Sequence, residues 1–287
     1  MYHCISPRKI GFFLSIAAVI GVIAALLMTV ARALAAPEQK QEGVFLPVIM
    51  YHSITEGNGT YQVSPAMLEL DLQYLLAQGY ETVSAGQLIA YTQGHGALPE
   101  KPVLLTFDDG FYNNLSAALP LLERYDMCAV VSVVGAYTDI LAEHDPGVPA
   151  YSYLTWENIK ALTASGRVEL GNHTYDLHSN TERAGCSILL GEDPNAYAAM
   201  LRTDLSRLQS RAKEKTSITP AVFAYPYGFI CRESVPVLQE LGFQVTLTCR
   251  EAPNYITHDP ACLYGLGRYH RDPSEPRESF FARALTG

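Results

Sequence analysis

Charged residues are few in this sequence. Asp, Glu, Lys and Arg make up 17% of 287 residues, against 48% hydrophobic. That balance excludes an intrinsically disordered chain. There is no basic excess either: the net charge is −9. A nucleic-acid binder would normally carry a basic stripe, so that class is set aside. No Cys-x-x-Cys pair and no zinc-finger spacing occur among Cys4, Cys128, Cys186, Cys231, Cys249 and Cys262. The five after Cys4 are odd in number, so at least one is free and no disulfide framework is implied. Cys128 opens an apolar run and is expected to pack in the core. There is no internal repeat, and Gly and Pro are near ordinary usage.

Acid is missing altogether from residues 1–36, which hold Arg8, Lys9 and Arg32. Between the last two, Ile10 to Ala31 form an uncharged run. As a helix this run is about 33 Å long, enough to cross a bilayer core of about 30 Å. The basic residues before it keep the N-terminus in the cytoplasm. A signal anchor is the favoured reading. A cleaved signal peptide is the alternative, with Ala33-Leu34-Ala35 as a small-x-small site. The expected organisation is a cytoplasmic tail at 1–9, a membrane segment at 10–31, a linker at 32–43 and a folded domain at 44–287.

Within that domain, strand-like and helix-like segments alternate. Strands are expected at Val44–Tyr51, Glu81–Val83, Val103–Phe107, Ala129–Val134, Val168–Leu170, Ala221–Tyr225, Gln244–Thr248 and Leu263–Tyr269. Ser64-Pro65 reads as a helix cap, followed by a face of Leu68, Leu72, Leu75 and Leu76 that Gly79 ends. Leu115, Leu119 and Leu122 mark a helix with Pro120 as a point of kinking. Thr155 caps a helix bearing Trp156 and Ile159, and Tyr197, Leu201, Leu205 and Leu208 form a further stripe. About seven such alternations point to an α/β fold, a distorted (β/α) barrel of about seven parallel strands. Reacting groups are then expected where strands end and loops begin.

Three strand ends carry chemistry. Thr106-Phe107-Asp108-Asp109-Gly110 sets two aspartates side by side. They cannot both face one side of a regular strand, but Gly110 permits a break that lets them converge. Gly171-Asn172-His173-Thr174-Tyr175-Asp176-Leu177-His178 follows another strand. On a helix the two imidazoles would point about 140° apart, whereas a strand end followed by a loop can bring them together. Phe223-Ala224-Tyr225-Pro226-Tyr227-Gly228 closes a third and could turn a backbone N–H inward. Each motif alone is an ordinary turn or surface string. One carboxylate with two imidazoles from separate strand ends is a three-ligand metal site with an open position, and the second aspartate is left as a general base.

With these motifs the chain resembles the polysaccharide deacetylase, or NodB-homology carbohydrate esterase, family. TFDDG is similar to the first motif and HTYDLH to the second, in the spacing of poly-N-acetylglucosamine deacetylases. PYG is similar to the end of the third, and Pro47-Val48-Ile49-Met50-Tyr51-His52 looks like that branch's opening strand. The resemblance covers about residues 45–270 and makes 44–287 a catalytic domain. It implies a divalent metal on Asp109, His173 and His178, zinc most often, with cobalt or nickel as substitutes. Asp108 would be the base, and the Tyr227 backbone N–H would stabilise the oxyanion. The substrate would be an N-acetylated cell-surface polysaccharide losing acetate, and the membrane would be a partner through the N-terminal helix.

Two departures follow from the resemblance. The third motif usually begins with an arginine that holds the catalytic aspartate, and Ala224 stands there; Arg268 or Arg250 is the expected replacement. The late histidine motif has no clean match, which leaves His270 or His258 as the acid. His52, Tyr225 and Pro226 are expected beside the substrate or behind the site. His95 and His144 read as surface. A non-catalytic glycan-binding module, favoured by Ala224, and a hydrolase of small amides or imides are the alternatives. A glycosidase is disfavoured, since its carboxylates should flank the bond from opposite sides.

Overall fold

Eight parallel strands carry the structure, a computed structural model that describes residues 42–144 and 147–286, with Ile23, Leu26 and Met28 ahead of them. They are β1 (Val48–Tyr51), β2 (Glu81–Thr82), β3 (Pro102–Phe107), β4 (Ala129–Val133), β5 (Val168–Asn172), β6 (Val222–Ala224), β7 (Val245–Leu247) and β8 (Tyr269–His270). Their spatial order is β7-β6-β5-β4-β3-β1-β8, with β2 paired to the start of β3. The two ends of this curved sheet meet. Leu247 of β7 bridges Leu266, just ahead of β8, and Thr248 N–H donates to Leu266 O at 2.9 Å. The result is a barrel-like parallel (β/α) fold.

Alternation along the strands divides the core. Val48, Leu104, Val130, Val222 and Leu247 share one buried cluster on the inner face. Ile49, Leu105, Val131 and Leu170 face the covering helices in another. Those helices are α1 (Pro65–Ala77), α2 (Ala85–Thr92), α3 (Leu119–Arg124), α4 (Trp156–Ala164), α5 (Pro194–Thr216), α6 (Ser234–Glu240) and α7 (Arg277–Ala284). Ser64 caps α1 by accepting from Met67 N–H, and Thr155 forms a reciprocal capping box with Asn158 on α4. The α5 stripe of Tyr197, Leu201, Leu205 and Leu208 is fully buried.

Several expectations are corrected. The first strand is split: Val44–Phe45 pairs antiparallel with Tyr255–Ile256, while Val48–Tyr51 enters the main sheet. Pro47 lies between them, with no N–H to give, and offers only its carbonyl to Leu104 N–H. Leu76 turns outward from α1 and is exposed. Before Pro120 the chain makes a wide π turn at Asn114–Ala118, because proline removes a helical donor. The last expected strand is mostly loop, beginning as a 3-10 turn at Pro260–Leu263. Cys128 is only partly buried, held at the mouth of β4 by its N–H bond to Thr82 Oγ1.

The expected membrane segment at 10–31 lies outside the described residues, those three excepted, as does Cys4. Among the described residues no helix is long and apolar enough to cross a membrane. Residues Gly43–Gly287 form one compact unit.

Candidate active site

The three motifs meet at the C-terminal ends of β3, β5 and β6. Each contains a non-glycine residue in left-handed conformation: Asp109 (φ 70°), Thr174 (φ 70°) and Tyr227 (φ 56°). Such residues are uncommon, and their clustering marks backbone bent for a purpose. In β3, Leu104, Thr106 and Asp108 share the inward parity, so Asp108 points into the barrel. Asp109 would point outward, but its own left-handed turn, continued by Gly110 (φ 72°), redirects it. The sequence expectation assigned this break to Gly110 alone. Gly110 has a further constraint, since a Cβ there would lie 2.8 Å from Val133 Cγ1.

Asp109 Oδ1 lies 3.1 Å from His178 Nε2 and 3.6 Å from His173 Nε2. It is buried yet makes no hydrogen bond of good geometry. His173 is 2% exposed, and its Nδ1 is 2.7 Å from Ala224 O. That contact places the proton on Nδ1 and leaves the Nε2 lone pair facing Asp109. His178 Nδ1 lies 3.3 Å from Tyr137 Oη and 3.4 Å from Tyr227 Oη. Burial lowers the His173 pKa, favouring the neutral, ligating form. Burial opposes the charge on His178, but Asp109 outweighs it and raises that pKa.

The three side chains offer ligand atoms within 4.8 Å of one another. One carboxylate and two imidazoles, with a buried orphan oxygen between them, fit a divalent cation.

Asp108 is 1% exposed and is gripped by Arg268, itself 0% exposed. Arg268 Nη1 donates to Oδ1 at 2.8 Å and Nη2 to Oδ2 at 2.7 Å. Its Nε donates to Thr248 O at 2.8 Å. Burial pushes the Asp108 carboxyl up, but the guanidinium more than offsets this and holds it far below the usual carboxylate range. Of the two expected arginines it is Arg268 that sits here. It arrives on the segment between the Leu266 bridge and β8.

An open cleft of about 500 Å³ exposes this centre. His52, Tyr61 and His270 form its opposite wall, with ring centroids 4.6 to 5.7 Å apart. His52 Nδ1 is buried without a partner, and burial pulls the imidazole pKa down to about 4. His258 stacks on Tyr91 instead, away from the cleft residues. Of its two expected places Tyr225 takes the one away from the substrate: it is 1% exposed, and its hydroxyl pairs with Ser234 Oγ at 2.8 Å. Pro226 is buried below the cleft, and Tyr227 lines it. His95 and His144 are exposed, as expected.

Two supporting residues gave no sequence signal. Asp204 on α5 accepts the N–H groups of Tyr175 (2.7 Å) and Asp176 (2.8 Å), holding the loop between the two histidines. Asp71 on α1 is 0% exposed and accepts from Arg271, Arg277 and the Tyr51 hydroxyl. It braces the neighbours of both His52 and His270.

Residues 95–246 match the family model described as polysaccharide deacetylase. The chain belongs to the polysaccharide deacetylase family. Among family relatives, the poly-beta-1,6-N-acetyl-D-glucosamine N-deacetylase of Escherichia coli (strain K12) is 27% identical over 205 residues. That match covers 65% of this chain and 30% of the relative's length, so the chain spans under a third of it. The structure of IcaB from Ammonifex degensii superposes with a TM-score of 0.69 at 27% identity, covering 85% of this chain and 98% of that one. A de-N-acetylase from Aggregatibacter actinomycetemcomitans shares the fold, with a TM-score of 0.71 at 24% identity, over 82% of this chain and 99% of that one.

Proposed function

We propose that this polysaccharide deacetylase family member hydrolyses the acetamide groups of an N-acetylated polysaccharide and releases acetate. The observation that carries the reading is the pairing of two carboxylates with separate tasks. Asp109 stands with His173 and His178 as a ligand set, and Asp108 beside it is fixed by Arg268. A divalent cation, zinc by preference with cobalt or nickel as substitutes, would supply Lewis acidity there, polarising the amide carbonyl and making water more acidic.

The chain's own groups do the rest. Asp108 takes the proton of the attacking water, and Arg268 keeps that carboxylate ionised and aimed. The Tyr227 N–H donates to the oxygen that gains negative charge. His270, which lines the cleft with its ring 5.7 Å from that of His52, is the group that gives a proton to the leaving amine. Water's oxygen ends on the acetyl carbon, the C–N bond breaks, and the products are acetate and a free amine.

Arg268 supplies the guanidinium whose absence at Ala224 favoured a non-catalytic glycan-binding module. An open cleft and relatives named as poly-N-acetylglucosamine deacetylases favour a polymer over small amides or imides. The uncharged run Ile10–Ala31 supports an extracytoplasmic domain held by an N-terminal anchor, or secreted after cleavage. Membrane fractionation tests that location, and a soluble cytoplasmic protein would remove it.

The activity is tested by acetate release from poly-N-acetylglucosamine, peptidoglycan and chitin oligomers by the full chain, with and without chelator. Chelator-sensitive release, highest on poly-N-acetylglucosamine, is expected. Intact glycans across the whole panel, with cation added back, would overturn the reading.

A further inference from the structure

We propose that Cys186 and Cys231 form a disulfide that joins the segment after His178 to the segment carrying Tyr227. Both cysteines belong to one buried cluster, with exposures of 0% and 6%. They reach it from different directions, Cys186 from the loop that follows His178 and Cys231 from the loop that follows Tyr227. These loops already touch. A Cβ built on Gly185 would lie 2.7 Å from Pro226 O and 3.2 Å from Pro226 Cβ, so the backbone next to Cys186 runs against the Pro226-Tyr227-Gly228 turn.

Both cysteines also converge on one phenol. Tyr197 donates its hydroxyl proton to Cys186 O at 2.7 Å; the Cys231 side chain neighbours the same hydroxyl, and its own thiol donates to Glu233 Oε2 at 2.9 Å. Burial, followed by the neighbouring Cys231, raises the Cys186 thiol well above its ordinary range. The other described cysteines sit elsewhere. Cys249 lines the cleft beside Met50 and Arg268, Cys262 lies against the Thr257 backbone, and Cys128 lies at the start of β4. The structure carries all five as thiols.

The reaction needs a disulfide donor, such as an oxidised thiol compound or a thiol oxidoreductase. The Cys231 thiolate attacks one donor sulfur and expels the other as a thiolate. The Cys186 thiolate then attacks the Cys231 sulfur and expels the second donor thiolate. Two protein thiols lose two protons and two electrons, and the donor disulfide becomes two thiols. Cys186 is closed off once the domain is folded, so the bond forms while α5 and the two loops are assembling. The bond would add a covalent tie between the loops that hold His178 and Tyr227, whose rings lie 4.8 Å apart at the cleft.

The test uses the full chain directed to a disulfide-forming compartment and purified without reductant. It is trapped in acid, alkylated in denaturant and digested for mass spectrometry. The expected product is one pair of peptides joined through Cys186 and Cys231, lighter by two hydrogens than the free pair. Reductant should lower the melting temperature of this protein by several degrees and leave a C186S/C231S variant unchanged. Alkylation of both cysteines, or linkage of either to another cysteine, overturns the proposal. The peptide map requires no enzymatic activity, so it stands apart from the outcome of the acetate assay.

Discussion

Arg268 and Asp108 are 160 residues apart in the chain and joined by two parallel hydrogen bonds of 2.8 and 2.7 Å. Both are fully buried, so the pair has geometry and no solvent to fall back on. Its stability rests on both partners being present.

Removing one partner should therefore cost more than removing both. Arg268→Ala strands a buried carboxylate and should destabilise by about 3–5 kcal/mol. An Asp108→Leu/Arg268→Leu double variant should recover much of that loss. Urea denaturation of both single variants and of the double variant measures this; a double-variant loss equal to the sum of the two single losses would mean the pair is not coupled. The Asp108 carboxyl is depressed in the folded state, so its contribution is complete above the ordinary carboxylate range near pH 4. It should fade as the pH falls into the strongly acidic range where the folded carboxyl is protonated.

The two aspartates should separate in their effects on cation binding. Asp108→Asn keeps the ligand set and should bind zinc near normally, while activity falls by about 10²–10⁴-fold through loss of the base. Asp109→Asn should lose both. Calorimetric zinc titration beside acetate release distinguishes them, and zinc retained only in Asp109→Asn would reverse the assignment.

Asp204 should tune the cation site without touching it. Asp204→Ala frees the Tyr175 and Asp176 N–H groups and should weaken zinc binding by about 10–100-fold, the range seen for supporting residues behind metal ligands. Burial raises the Asp204 carboxyl to about 6. The folded state thus holds this proton more tightly than the unfolded chain, and stability should decline as pH rises from about 4 to about 6. The difference in unfolding free energy between wild type and Asp204→Asn, followed across that range, reads this slope. A flat difference would place the titration elsewhere.

The Asp71 cluster gives an ordered series. Arg271 is 2% exposed and Arg277 is 24% exposed, and both pair with the same buried carboxylate. Arg271→Ala should approach the cost of a broken buried pair, about 3–5 kcal/mol, and Arg277→Ala should cost clearly less. Thermal melts of the two variants decide it; the reverse order would show that Arg277 carries the compensation.

The parts of the site that sequence made legible are local. Asp108-Asp109, the His173 to His178 stretch and Pro226-Tyr227-Gly228 each sit within a few residues of a strand end, where period-two burial gives way to turn residues. Arg268 was narrowed to one of two arginines, because the partner of a buried carboxylate is chosen by sheet closure and not by spacing. Asp204 and Asp71 were missed for the same reason: each lies on a helix and acts on another segment through contacts with no sequence period. Pro47 was a signal present and underused, since its missing N–H divides the first strand. For Tyr225 the sequence left two places open, and alternation at the strand end puts its ring on the core side.

The meeting of the sheet's ends at Leu247 and Leu266 has a consequence for a chain made from its N-terminus onward. Asp109, His173 and His178 are synthesised long before Arg268. Until the closing segment emerges and docks, Asp108 has no guanidinium beside it and the barrel has an open seam. The candidate ligand set is made before the partner of Asp108, so the last stretch of the chain sets when the site is complete.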